Sequence, residues 1–406
     1  MPVQFHQTEQ KEGDENIKDV KNLDILETKI INSKNYGKFL KYLWIIVALF
    51  IIIAVAIVLI LVFQNKLINK DDDSSDDIDP NIPTSEETIY NDSNTTRILI
   101  ISTGGTFNSV PTESGLQPKF NETDLRERLK PVSGDCNITF KSLFSIDSGN
   151  IQPEHWKSIS DCVKQNYRSK DGIIIIHGTD TMAYTSSMLS HMLEGIPIPV
   201  VITGSQMGIS NPLTDALENM RLSIYMARNN YPGVYVVFNR KVMLGKYVSK
   251  VHSKNINAFE SINYENVGEV NAEGLQIHEE YIPKIDPNFK VRNKMSNKVI
   301  ILKLSPGLSP NIIDTLIDEG YKGIIIESYG LGGLPNTKGN DFASKCKSAI
   351  QKGIKIVILS QCTYDGVDLN VYETGVNMKD AGIIDMPLAT KEYAYTRLMW
   401  ELGNNN

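Results

Sequence analysis

Threonine side chains stand beside glycines or a carboxylate at two separate points of the sequence. The tetrapeptide Thr-Gly-Gly-Thr, which ends at Thr106, directly follows the apolar run RILIIS, and Thr179 and Asp180 directly follow the run GIIIIHG. Glycines after a strand permit a tight turn and let backbone N–H groups approach a ligand closely. A hydroxyl activated by a nearby base is a nucleophile for acyl transfer. These two segments are therefore the candidate catalytic segments of the chain.

The candidate base is Lys250, in the polar stretch VSKVHSKNINAFES. Most lysines in such stretches are simply solvated, whereas a lysine partly buried beside an Asp and a Thr loses its proton more easily and acts as a base toward the hydroxyl. Asp180 has an ordinary alternative role as a helix N-cap. His177 belongs to the buried end of a strand and is predicted to be a structural histidine. The spacing alone does not show that Lys250 meets Thr179 and Asp180.

Short Val- and Ile-rich runs separated by helical stretches predict strands that are buried on both faces and joined by crossovers. These runs are RILIIS, GIIIIHG, PVVITG, GVYVVFN, VIILKLS, GIIIES and IKIVILS. We predict an α/β protein with a mostly parallel, doubly wound sheet in a larger N-terminal domain (97–282), a polar linker (283–298) and a smaller C-terminal α/β domain (299–406). Ligands of such sheets bind beyond the carboxyl ends of the strands, where both threonine segments lie.

The N-terminal part has a different character. Leu43 to Phe63 reads LWIIVALFIIIAVAIVLILVF without a charged residue, which is long enough to cross a hydrocarbon core of about 30 Å. Lysines are more frequent before this stretch than after it, which places the N-terminus in the cytosol. We predict a cytosolic tail (1–41), a transmembrane signal anchor (42–64), an acidic stalk (65–96) and a catalytic region that is extracellular or lumenal.

Several other classes of site are excluded or left open. A formal net charge of −7 without a basic stripe excludes nucleic acid as a partner, and the glycine turn lacks the spacing of a phosphate loop. The stalk aspartates lack the glycine and distant glutamate of a calcium loop, so no metal is predicted. Four cysteines leave disulfides and buried free thiols both open. Four sequons, which agree with an outer location, begin at Asn91, Asn94, Asn121 and Asn137.

Between 97 and 403 the chain resembles the L-asparaginase/glutaminase family. The resemblance rests on TGGT, HGTDTM and the lysine stretch ending in NAFES, and on IDSGNI, TDALENM, GIIIESYGLGG, SQCTYDGVDLNVYETG and TRLMWELG, in this order. The last two motifs are closer to the cytosolic, type I branch than to the periplasmic branch. The resemblance implies hydrolysis of L-asparagine, with L-glutamine as a possible second substrate, and no cofactor.

The resemblance also implies roles for individual residues. Thr106 would be the nucleophile that forms an acyl-enzyme, and Thr179, Asp180 and Lys250 would be a second hydroxyl, an orienting carboxylate and a base. Substrate binding would fall to the IDSGNI segment and to the second threonine segment, with backbone N–H groups near Gly178 and Thr179 as the oxyanion hole. The predicted substrate-binding residues are Asp147, Ser148, Gly149, Thr179 and Asp180.

One position departs from the family pattern. Some members carry a catalytic tyrosine in the loop after TGGT, and this sequence aligns Leu116 there. Another residue, brought by loop closure or by a neighbouring subunit, would then activate Thr106. The family implies homodimers or homotetramers, in which Glu327, Tyr329 and the GLGG run would complete a neighbour's site.

Two further functions compete with catalysis by this site. Leu116 and the single predicted span motivate a catalytically silent receptor or binding ectodomain that retains the fold. The order of tail, anchor, stalk and lumenal α/β domain is also typical of Golgi glycosyltransferases, although their Asp-x-Asp metal motif would have to come from the stalk.

Overall fold

The computed structural model describes residues 95–105, 107, 109–112, 115–118 and 122–404. The predicted tail, the Leu43–Phe63 span, most of the stalk, three of the four sequons and Thr106 lie outside these residues. Within them, no helix is long and apolar enough to cross a membrane.

The N-terminal region of the described chain contains two groups of elements. Its helices are α1 (Glu122–Ser133), α2 (Pro153–Asn166), α3 (Met182–Met192) and α4 (Ala216–Arg228), with 3₁₀ turns at Ser148–Asn150 and Glu279–Tyr281. Its strands are β1 (Arg97–Gly104), β2 (Ser109–Thr112), β3 (Gly115–Pro118), β4 (Asn137–Ile146), β5 (Gly172–Ile176), β6 (Pro199–Thr203), β7 (Gly233–Phe238), β8 (Lys241–Leu244), β9 (Val248–Lys250), β10 (Phe259–Ser261), β11 (Gly268–Asn271) and β12 (Gly274–Ile277).

Eight of these strands form one mixed sheet in the order β12-β11-β8-β7-β6-β5-β1-β4. From β4 to β7 neighbouring strands are parallel, while β8, β11 and β12 join by antiparallel pairing. The prediction of an α/β fold is confirmed, but the sheet is more mixed than predicted. A two-residue turn at Asn239 and Arg240, with φ of 46° and 64°, reverses the chain after β7, as short hairpin loops require.

Helices cover both faces of this sheet, as in a doubly wound fold. Alternate residues of a strand point to opposite faces: Leu99 and Ile101 pack in a core with α2 and α3, and Ile98 and Ile100 pack in a core with α1 and α4. All four side chains are fully buried. This two-sided burial explains why the central strands are almost continuously apolar.

The C-terminal region forms a second, smaller sheet. Its elements are β13 (Val299–Lys303), α5 (Ile312–Asp318), β14 (Gly323–Ser328), β15 (Asn336–Thr337), β16 (Asn340–Asp341), α6 (Phe342–Gln351), β17 (Lys355–Ser360), α7 (Glu373–Asp380), β18 (Ile384–Asp385) and α8 (Lys391–Asn404). The order β13-β14-β17-β18 is parallel throughout. All seven apolar runs of the sequence therefore form strands.

Helix α8 connects the two regions. Its residues Ala394, Leu398 and Met399 belong to the same core as α3 of the larger sheet, and the hydroxyls of Ser187 and Thr396 are 2.7 Å apart across the helix pair. Residues 283–298 form neither helix nor strand. They are held in place by α8, since the Trp400 indole donates to the Arg292 carbonyl over 2.8 Å.

Two buried histidines belong to this framework. His177 lies at the end of β5 and is fully buried, and burial lowers its pKa to about 4. His191 lies in α3, where burial, followed by the positive charges of Arg397 and Lys246, lowers its pKa to about 3. Both side chains are therefore neutral in the folded protein at pH 5, whereas unfolding returns them to a pKa of about 6.5.

We predict that the free energy of unfolding falls as the pH is lowered from 6.5 toward 4. Because the folded pKa values are depressed, the unfolded chain binds more protons, and each histidine costs roughly 2 kcal/mol at pH 5. Urea denaturation at pH 7 and pH 5 measures this loss, and His191→Phe is expected to remove about half of it. The exposed His278→Gln is the control; an equal effect of both variants would contradict the assignment.

Candidate functional site

The carboxyl ends of β1 and β5 meet because these strands are parallel neighbours. Gly105, at the end of β1, approaches Gly178 so closely that a Cβ atom on it would lie 2.4 Å from the Gly178 Cα. Gly104 approaches Ile146 of β4 in the same way, and both glycines have positive φ, 102° and 83°. Other residues adopt this backbone conformation only with strain. The turn that ends at Thr106 is therefore glycine-specific and lies against the second threonine segment.

Lys250 reaches that second segment from β9. Its Nζ lies 2.8 Å from Thr179 Oγ1 and 2.6 Å from Asp180 Oδ1. The lysine side chain is only 16% exposed and the aspartate side chain 68% exposed, and Thr179 is buried. The structure thus brings together three predicted site residues that are about seventy positions apart in sequence.

A fourth side chain, Gln206, completes this group. Thr179 Oγ1 donates to Gln206 Oε1 over 3.2 Å, and the Gln206 amide donates to the carbonyls of Ser253 and Asn255 over 3.3 and 3.1 Å. The backbone N–H groups of Gln206 and Met207 donate in turn to the Asp215 carboxylate. Gln206 links Thr179 to the loop that follows Lys250.

The sequence interpretation did not include Gln206. It stands directly beyond β6, the strand that follows β5 in the sheet. The rule that selected Thr179 and Asp180, polar side chains at the carboxyl ends of parallel strands, applies to it equally.

The predicted substrate-binding segment after β4 borders the same place. Ser148 is buried; its Oγ accepts the Asp180 N–H over 3.2 Å, and its carbonyl accepts the Thr181 hydroxyl over 2.7 Å. Asp147 Oδ1 accepts the Gly149 N–H over 2.8 Å and fixes the turn around Ser148. Since Ser148 Oγ only accepts in this contact, its own proton remains available for a ligand.

His177 lies below the group rather than in it. It is fully buried, with its Nδ1 2.7 Å from the Gly178 carbonyl and its Nε2 2.9 Å from Thr185 Oγ1. Its low pKa, which results from burial, leaves it uncharged. This position agrees with the prediction of a structural histidine.

The remaining chemistry-bearing side chains are dispersed. In the described part of the chain no three His, Cys, Asp or Glu side chains are grouped so that they could hold a metal ion. Cys136, Cys162 and Cys346 are buried free thiols, and Cys362 is an exposed one. Burial raises the pKa of the Cys346 thiol to about 12. Of the two alternatives left open for the cysteines, the structure shows free thiols.

Comparison with known proteins gives matches over the whole described region. Residues 97–283 match the N-terminal asparaginase family model, and residues 298–406 match the glutaminase/asparaginase C-terminal domain model. The L-asparaginase of Thermococcus kodakarensis is 38% identical over 318 residues, which are 76% of this chain and 93% of that protein. One of the glutamyl-tRNA(Gln) amidotransferase polypeptides of Pyrococcus abyssi is 36% identical over 76% of this chain and 72% of its own length.

Solved structures give the same result. The structure of the Thermococcus kodakarensis L-asparaginase has a TM-score of 0.71 and 37% identity, with coverage of 76% of this chain and 93% of that one. L-asparaginase I of Vibrio cholerae has a TM-score of 0.67 and 28% identity, with coverage of 77% and 94%. The two family models together account for most of the sequence. The chain therefore belongs to the asparaginase family of amidohydrolases.

Proposed function

We propose that the chain is an L-asparaginase that hydrolyses L-asparagine to L-aspartate and ammonia through a threonine acyl-enzyme. The observation that carries this proposal is the contact of Lys250 Nζ with both Thr179 Oγ1 and Asp180 Oδ1. A hydroxyl, a carboxylate and an amine in mutual contact beside a glycine turn are the groups that acyl transfer requires. The reaction needs no metal and no organic cofactor.

In the first half-reaction Thr106 Oγ attacks the side-chain amide carbon of asparagine. The C–N bond breaks, the hydroxyl proton passes to the leaving nitrogen, and ammonia departs from an ester of Thr106. Backbone N–H groups near Gly178 and Thr179 stabilise the negative oxygen of the tetrahedral intermediate. Since Leu116 occupies the position of the tyrosine of some family members, a residue brought by loop closure or by a neighbouring subunit accepts the Thr106 proton.

In the second half-reaction water cleaves the ester and regenerates Thr106. Thr179, held between Lys250 and Gln206, positions and polarises this water, and Lys250 takes up its proton. The product is the aspartate side-chain carboxylate.

Recognition of the amino-acid end of the substrate involves the exposed carboxylate and the serine turn. Asp180 Oδ1 is engaged by Lys250, and its exposed carboxylate group remains accessible to the substrate ammonium. Ser148 donates its hydroxyl proton to the α-carboxylate, with Asp147 and Gly149 beside it. A charge-assisted contact at each end of the ligand fixes its orientation.

A second candidate function is hydrolysis of glutamine for transfer of its amide nitrogen, because several relatives are named as polypeptides of a glutamyl-tRNA(Gln) amidotransferase. This chain spans 72% of the length of such a relative. Release of ammonia from asparagine at a higher kcat/KM than from glutamine supports the asparaginase assignment, and the reverse preference supports the second candidate.

We predict that Thr106→Ala lowers kcat for ammonia release from asparagine by at least about a thousandfold, since the nucleophile is lost. Lys250→Met is expected to lower kcat by about a hundredfold or more. The detergent-solubilised full chain is assayed by coupled detection of ammonia. Lys254→Met, an exposed lysine of the same loop, is the matched control and should retain activity within about twofold.

Equal ammonia release by the wild-type chain and Thr106→Ala would exclude this assignment. Thermal protection by asparagine without turnover over hours would favour the silent binding ectodomain. Manganese-dependent turnover of a sugar nucleotide would favour the glycosyltransferase.

We also propose that Leu43–Phe63 anchors the protein in a membrane, with the N-terminus cytosolic and the catalytic region extracellular or lumenal. The uncharged length of this stretch and the lysines that precede it support this topology. In a eukaryotic host the full chain should sediment with membranes after an alkaline carbonate wash, and deletion of Leu43–Phe63 should release it. External protease should leave an epitope at residue 1 intact in sealed vesicles; its cleavage there would reverse the orientation.

A homodimer or homotetramer is the assembly that we propose. Three apolar side chains in loops of the C-terminal region support it, since Val371, Tyr372 and Leu388 are 53%, 62% and 52% exposed. Glu327, Tyr329 and the GLGG run of one subunit would complete the site of another. Sedimentation equilibrium should give twice or four times the chain mass, and Tyr372→Ser should weaken association. A monomer at micromolar concentration would contradict the proposal.

A further inference from the structure

Three buried hydrogen bonds run from α2 to the peptide before Thr179. The Trp156 indole Nε1 lies 2.9 Å from Thr185 Oγ1, this oxygen lies 2.9 Å from His177 Nε2, and His177 Nδ1 lies 2.7 Å from the Gly178 carbonyl oxygen. Thr185 and His177 are fully buried, and Trp156 is nearly so. The chain of contacts therefore lies beneath the candidate site and is closed to water.

The chemistry of the two ends fixes the direction of every proton. A carbonyl oxygen only accepts, so His177 Nδ1 carries a proton and donates it to Gly178. An indole N–H only donates, so Thr185 Oγ1 accepts from Trp156 and directs its own proton to His177 Nε2. His177 is consequently the neutral tautomer protonated on Nδ1. Burial, which lowers the pKa of this side chain to about 4, favours the same uncharged form.

The carbonyl held in this way determines where the next N–H group points. The described peptide bonds include no cis bond, and in a trans peptide the C=O and N–H groups point in opposite directions. Since the Gly178 carbonyl points into the core toward His177, the Thr179 N–H points away from it. This N–H has no hydrogen-bond partner among the described residues, whereas the following N–H of Asp180 donates to Ser148.

We propose that His177 is a positioning residue: by holding the Gly178 carbonyl it fixes the peptide that presents the Thr179 N–H as an oxyanion donor. The inference rests on the proposed amide hydrolysis and assigns to the Trp156-Thr185-His177 relay the task of aiming that donor. A donor fixed before reaction stabilises the developing negative charge without reorganisation. A histidine that only filled space would not need a defined tautomer.

The first test separates positioning from packing by comparing two buried histidines of the full chain. His177→Leu removes the donor to Gly178 and is expected to lower kcat for asparagine by about ten- to a hundredfold with KM changed less than about threefold. His191→Leu is the matched control, since His191 is also buried but lies near the far end of α3, about 14 Å along the helix from Met182. It should retain kcat within about twofold.

The conservative variant gives the rescue. In His177→Asn the side-chain amide occupies the place of Nδ1 and can donate to Gly178, so kcat should return to within about threefold of the wild-type value. Equal losses in His177→Leu and His191→Leu would overturn the positioning role. The same holds if His177→Asn is as slow as His177→Leu while both variants are folded.

The second test does not depend on catalysis. Nitrogen-15 spectra of histidine-labelled full chain should show His177 protonated on Nδ1 alone between pH 5 and pH 8; a proton on Nε2 would overturn the relay. A crystal structure of His177→Leu should show the Gly178–Thr179 peptide rotated, and an unrotated peptide would overturn the proposal. If the wild-type chain releases no ammonia from any amide, the proposed function fails, while these two measurements still decide whether His177 fixes the peptide.

Discussion

The contact of two glycines at the ends of neighbouring strands is the constraint on which the site depends. Gly105 and Gly178 lie so close that a Cβ atom on Gly105 would fall 2.4 Å from the Gly178 Cα, and one on Gly178 would fall 2.6 Å from Ser148 Oγ. No larger side chain fits at either position without moving backbone, which is the least adaptable part of a packed core. The contact sets the Thr-Gly-Gly-Thr turn, the Thr179 segment and the Ser148 turn side by side. Three strands thereby contribute to one group of polar side chains.

Lys250 depends on a different set of contacts, most of which come from the C-terminal region. Its strand β9 pairs with β10, and the neighbouring Ser249 hydroxyl donates to the buried carboxylate of Glu392 in α8 over 3.1 Å. On the other side of the hairpin, Tyr364 donates to Glu260, and the Asp365 N–H donates to Asn263 over 3.0 Å. The smaller sheet therefore fixes the strand that carries the candidate base. This explains in physical terms why a second domain accompanies a site built mainly on the first.

Much of the fold could be predicted from the sequence because strands buried on both faces leave a strong pattern, and all seven Val- and Ile-rich runs are strands. The antiparallel strands β8, β11 and β12 are only four residues long and depend on their partners rather than on their own sequence. Site residues at strand ends were predictable, although Gln206 was missed. The meeting of Lys250 with Thr179 could not be derived, because a hairpin of three-residue strands folds back over the sheet to produce it. Thr106, the span and the stalk lie outside the described residues, so their assignments stay predictions.

The observed contacts also separate the two halves of the proposed reaction. Lys250 Nζ is shared between Thr179 and Asp180 at hydrogen-bonding distance, and the Thr179 proton is directed to Gln206. The hydroxyl that Lys250 serves directly is therefore Thr179, which acts on water in the second step. Activation of Thr106 in the first step needs a separate proton acceptor, and Leu116 does not provide one. In the proposed mechanism the deacylation groups are thus assembled within the described fold, while acylation depends on what closes over the turn that ends at Thr106.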